Sequence, residues 1–110
     1  MTKIKSYTDL EQSKKLAKIL PHQSADMSFN VEKGYEVILH PYMTSNWIGV
    51  PCWSLTALLS VLPYPYIEQN HKGKWICRVE HKNTTYLWED SNPVDACYEI
   101  IIKLNELNLL

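Results

Sequence analysis

Apolar positions recur along the chain with two periods. Leu10, Leu16, Ala17, Ile19 and Leu20 mark a first helix. Thr8-Asp9-Leu10-Glu11 reads as its capping box, with Thr8 as N-cap and Glu11 at N3, and Pro21 is expected to end it. Two β-like pieces follow, Met27 to Val31 and Tyr35 to Leu39, with Glu32-Lys33-Gly34 as the turn of a hairpin. Leu55, Leu58, Leu59 and Leu62 recur at i, i+3, i+4 and i+7, so Ser54 is expected to cap a second helix that Pro63 closes.

Beyond Pro63, the stretch from Tyr64 to Gly73 reads as an extended, exposed connection. Trp75 to Glu80 alternates, placing Trp75, Cys77 and Val79 on one face and Arg78 and Glu80 on the other. His81 to Thr84 supplies a turn, and Thr85 to Glu89 returns with Tyr86 and Trp88 on one face; Trp75 and Trp88 can pair across this hairpin if the register allows. Asn92-Pro93-Val94-Asp95 combines an N-cap, a proline at N1 and an acid in the first turn, opening a last helix to about Glu106. The order is αββαββα. It predicts one α+β domain over residues 1–110, with three helices packed on a small antiparallel sheet.

Composition narrows the chemistry. The 110 residues carry a net charge of -1, so no global field gathers phosphates. Arg78 is the sole arginine, which counts against base-specific nucleic-acid reading. Lys14, Lys15 and Lys18 read as a solvated helix face. No apolar run approaches the ~20 residues of a membrane span, and the amino terminus lacks a signal-like segment, so a cytoplasmic protein is expected.

Three cysteines at wide spacing, Cys52, Cys77 and Cys97, are neither a disulfide framework nor a zinc motif and read as buried thiols. His71, Cys77 and His81 make a poor metal set with no fourth ligand, and Glu89-Asp90 point apart on a strand. Only three glycines are present, with no phosphate-cradling loop. No cofactor is expected.

The segment Gly49-Val50-Pro51-Cys52-Trp53-Ser54-Leu55 raises a sharper question. It is similar to the active-site segment of papain-like cysteine peptidases, where a nucleophile followed by Trp opens a helix. That similarity implies a thiol hydrolase with Cys52 as nucleophile and His81, or else His71, as base. Against it, Ser54 as N-cap leaves Cys52 outside the helix, beyond the first-turn N–H groups. The leucine stripe explains the segment as packing, and no catalytic residue is assigned.

Large rings are abundant. Tyr64 and Tyr66 stand between prolines in the connection, and exposed aromatics anchor interfaces or stack on bases. The expected contact surface is therefore Tyr64 and Tyr66 with Trp47, and with His71, Lys72 and Lys74 as polar neighbours.

Several segments together resemble a family of small uncharacterised proteins from phages and other mobile elements of Bacteroidota. They are Leu10 to Leu16, Ser24-Ala25-Asp26-Met27, Pro51-Cys52-Trp53-Ser54-Leu55 with Ala57-Leu58-Leu59 and Leu62-Pro63, and Asn92-Pro93-Val94-Asp95-Ala96-Cys97. The resemblance implies an accessory protein acting inside a bacterial host and brings no catalytic residues. With no catalytic constellation assigned, the leading expectation is a non-enzymatic binder of a host protein, such as a counter-defence inhibitor of the anti-CRISPR kind. A small-molecule binder, for example a cyclic-nucleotide sponge, is the second expectation; the thiol hydrolase is the third and RNA binding a fourth. Oligomeric state is not legible.

Overall fold

The computed structural model describes residues 5–30, 34, 36–39 and 49–110. Trp47 lies outside the described residues, as do Val31, Tyr35 and the Glu32-Lys33 part of the expected turn. The described chain is α+β. Its helices are α1 (Leu10–Leu16), α2 (Leu55–Val61) and α3 (Pro93–Glu106), and a 3-10 turn spans His22–Ser24. Six strands accompany them: β1 (Met27–Asn30), β2 (Glu36–Leu39), β3 (Val50–Cys52), β4 (Tyr66–Gln69), β5 (Trp75–His81) and β6 (Thr84–Asp90).

The strands form two antiparallel sheets rather than one, in the orders β2-β1-β3 and β4-β5-β6. Two strands were not expected. β3 holds Pro51, which is tolerated because β3, among the described residues, is an edge paired only to β1. The supposed loop after Pro63 contains β4, registered on β5 with Tyr66 opposite Arg78 and Ile67 opposite Cys77. Gly49 leads into β3 at φ +125, and an added Cβ would meet the Phe29 carbonyl oxygen at 2.1 Å, so only glycine fits there.

The main core joins α2, α3 and the inner face of β5. Trp53, Leu58, Val79, Val94, Ile101 and Leu104 are fully buried within it, and α3 lies across β5 and β6. A smaller core, Met27, Phe29 and Cys52 with Leu10, Val37 and Val50 against it, sits beneath the first sheet.

The cap of α1 is one residue later than the pattern suggested. Asp9 accepts from the Gln12 N–H while the Gln12 side chain accepts from the Asp9 N–H. Thr8 is unavailable because it is buried. Its Oγ1 lies 2.8 Å from Ser13 Oγ and accepts from the Trp53 N–H at 3.2 Å. The α1 hydrogen bonding loosens into turns after Leu16, short of Pro21. The caps of α2 and α3 are those expected: Ser54 accepts from the Ala57 N–H and Asn92 from the Asp95 N–H.

In the β5–β6 hairpin the turn is Lys82-Asn83 alone, with both residues at positive φ (49° and 66°), as a two-residue turn of type I′ requires. The strands are longer than expected. Trp88 stands opposite Cys77 and Trp75 opposite Asp90, so the two indoles are diagonal neighbours rather than a direct pair.

Candidate functional site

The sequence segments that look most like motifs meet in pairs, and they meet inside the molecule. Asp26 accepts from both the Ser54 N–H (2.9 Å) and the Ser54 hydroxyl. The Trp53 indole N–H donates to Ser24 Oγ at 2.9 Å. Ser24-Ala25-Asp26 is thereby fastened to Trp53-Ser54 across the base of α2. At the other end, Asp95 Oδ1 accepts from Lys5 Nζ (2.7 Å) and Gln12 Nε2 (2.8 Å), and its Oδ2 accepts from Asn92 Nδ2 (2.7 Å). Burial opposes ionisation of Asp95, but these donors outweigh it and hold the carboxyl below its ordinary range. Burial opposes the charge on Lys5, but its bonds to and attraction by Asp95 and Asp9 outweigh this and raise the ammonium above its ordinary range.

Cys52 belongs to this scaffold. It is fully buried at the end of β3, and its thiol donates to the Thr8 carbonyl at 3.3 Å. Burial raises its pKa, and nearby hydroxyls of Thr8 and Ser13 offset this only in part. His81 ends β5, in the other sheet from Cys52. Cys77 and Cys97 are also buried, with sulfurs 3.5 Å apart; contact with Cys77 and burial raise Cys97. His71 and His81 flank opposite ends of β5, roughly 20 Å of strand. Among the described residues no cluster of three potential metal ligands forms.

The outer face of the second sheet is different. Strand register lays Tyr66, Arg78 and Leu87 in a row across β4, β5 and β6. None is covered by a helix: Tyr66 and Leu87 remain 53% and 60% exposed. Arg78 lies over the Tyr66 ring at 4.9 Å and bonds Glu68 at 3.1 Å, so its guanidinium is positioned on the surface. Tyr64, 85% exposed, projects beside this row. With Pro65, Tyr66, Arg78 and Glu80 it lines an open cleft of about 360 Å³.

Tyr64 adopts φ +44 between two prolines, in a region that bulky L residues seldom enter. Such strain costs about 1–3 kcal/mol and clusters at functional segments. Glu68, Glu80 and Glu89 share the outer face.

Of the expected contact residues, Tyr64 and Tyr66 come together in this cleft. His71, Lys72 and Lys74 are exposed in the β4–β5 turn, which Asn70 organises by accepting from the N–H groups of Lys72 and Lys74. That turn is at the other end of β4, roughly 13 Å of strand from Tyr66. Arg78 and Leu87 were not on the expected surface. The alternation of β5 already turned Arg78 outward, and counting back from a Lys82-Asn83 turn puts Leu87 opposite it. No helix among the described residues is long and apolar enough to cross a membrane. Comparison with family models, curated proteins and solved structures finds no significant match.

Proposed function

We propose that the chain is a non-enzymatic binding protein that engages a host protein through the Tyr64–Tyr66–Arg78 cleft. In the context implied by the sequence resemblance, it is a phage or mobile-element accessory protein that modulates a host system, as a counter-defence inhibitor of the anti-CRISPR kind does. The observation carrying this reading is the exposed aromatic pair, one ring on strained backbone and the other beneath a surface arginine. Tyrosine and arginine are the residues that dominate binding energy at protein interfaces. The flanking acids favour a protein partner with a basic rim over RNA, whose phosphates they repel.

The test is affinity purification of the tagged protein from a Bacteroidota host lysate, with mass spectrometry of proteins and of bound nucleotides. A stoichiometric polypeptide is expected with the wild type and is lost with Tyr64→Ala/Tyr66→Ala, while Lys14→Ala/Lys15→Ala on the far helix retains it. A partner kept by the tyrosine double variant overturns the proposal. One observation favours a second reading, a nucleotide binder: the cleft offers two rings and a guanidinium at a volume suited to a small ligand. A nucleotide released on denaturation, with no protein partner, selects that reading.

A further inference from the structure

The two edges of the second sheet are unlike. β4 is four residues long and follows Pro65, features that discourage a further strand. β6 is seven residues long, contains neither lysine nor proline, and pairs with β5 without a bulge. Its other side has no strand partner among the described residues. It also carries Leu87 and Trp88, 60% and 44% exposed, on opposite faces. A long edge with apolar side chains, whose charge is confined to Glu89 and Asp90 at one end, is a template for another strand.

The sequence of β6 says which strand. In a two-residue turn the flanking His81 and Thr84 form a hydrogen-bonded pair, and bonded pairs alternate along the ladder. Thr85, Leu87 and Glu89 therefore aim their backbone groups at the free edge. An antiparallel copy with its two-fold axis at Leu87 places Leu87 opposite Leu87, Tyr86 opposite Trp88, Thr85 opposite Glu89 and Thr84 opposite Asp90. No like charges meet, an aromatic pair forms, and all residues of β6 find a partner, giving about six backbone hydrogen bonds. Moving the axis to Trp88 sets Leu87 against Glu89 and Tyr86 against Asp90. Moving it to Tyr86 carries Glu89 and Asp90 out over the turn. Only the Leu87 register is complementary throughout.

We propose that two copies of this chain associate through β6, joining their second sheets into one six-stranded antiparallel sheet with the two-fold axis at Leu87. Both outer faces then lie on the same side, with their Tyr66 strands roughly 24 Å apart across five strand spacings. This inference goes beyond the binding proposal and uses a different edge from the cleft, so Tyr64→Ala/Tyr66→Ala leaves the dimer intact.

Sedimentation equilibrium of the full chain over a dilution series is the test. The expected mass approaches twice the 12.8 kDa of one chain at high concentration. Leu87→Lys, which faces two ammonium groups across the axis, is expected to weaken association at least tenfold, with the circular dichroism spectrum unchanged. A chain that stays at 12.8 kDa throughout, or a dimer indifferent to Leu87→Lys, overturns the proposal. Register is tested with oxidised glutathione: Leu87→Cys is expected to cross-link into covalent dimers, because its partner position is itself, whereas Thr85→Cys is not. Equal cross-linking by both variants contradicts the assigned register.

Discussion

The two sheets put the same kind of segment to opposite uses. The first is closed against the chain: β1 is buried between its neighbours, and Met27, Phe29 and Cys52 fill a small core beneath it. Around its edge, Ser24 and Asp26 are bonded to Trp53 and Ser54. The second sheet buries one face against α3 and leaves the other open, with Tyr66, Arg78 and Leu87 in a row. The segments that look like motifs are thus largely joints of the scaffold. The surface suited to contact carries no motif at all. A short motif-like segment can record how a fold is fastened without recording what the fold does.

That contrast can be broken by substitution. The largest effect is expected at the scaffold's centre. Trp53→Ala removes a fully buried indole and its bond to Ser24, and should cost about 3–5 kcal/mol in urea unfolding. A loss near zero would mean the Trp53–Ser24 joint does not hold α2 in place.

The second effect concerns the Lys5–Gln12–Asn92–Asp95 network, whose removal by Asp95→Ala should cost ~1–2 kcal/mol. Its pH dependence has a fixed sign. The folded Asp95 pKa lies below its unfolded value, so this stability is full above the unfolded carboxylate range near ~4 and is lost as pH falls through the folded pKa. Lys5 is raised, so its share is full below the unfolded lysine range near ~10.4 and fades as pH rises through the folded pKa. Stability measured by thermal unfolding from pH 7 down to pH 2 should therefore fall less in Asp95→Asn than in the wild type. Equal falls would remove Asp95 from the acid response.

The helices were legible because their signals are local. Ser54 and Asn92 declare caps, and leucine or isoleucine stripes declare faces. The α1 cap was displaced by one residue because a tertiary contact, the Trp53 N–H on Thr8, consumed the hydroxyl that the local pattern offered. β3 and β4 were hidden by Pro51 and Pro65, whose usual meaning is a break; at a sheet edge that meaning fails. The division into two sheets was not legible, since each hairpin is a local pairing whose pattern does not say whether it shares a sheet with the other, and β3 returns to β1 past the intervening β2. The exposure of Tyr64 and Tyr66 was legible because flanking prolines make burial difficult. Arg78 was already turned outward by the alternation of β5, whereas placing Leu87 opposite it required the strand register, which alternation alone leaves open.

The smallest expected effect tests the division of labour most directly: urea unfolding of Tyr64→Gly beside Asp26→Ala. Glycine relieves the positive φ at residue 64 and removes a ring that solvent already surrounds, so stability should stay level or rise by up to ~1 kcal/mol. Asp26→Ala strips the Ser54 N–H and hydroxyl of their acceptor and should lose about 1–3 kcal/mol. A Tyr64→Gly loss as large as that of Asp26→Ala would make the ring part of the scaffold, and the contact surface would have to be sought elsewhere.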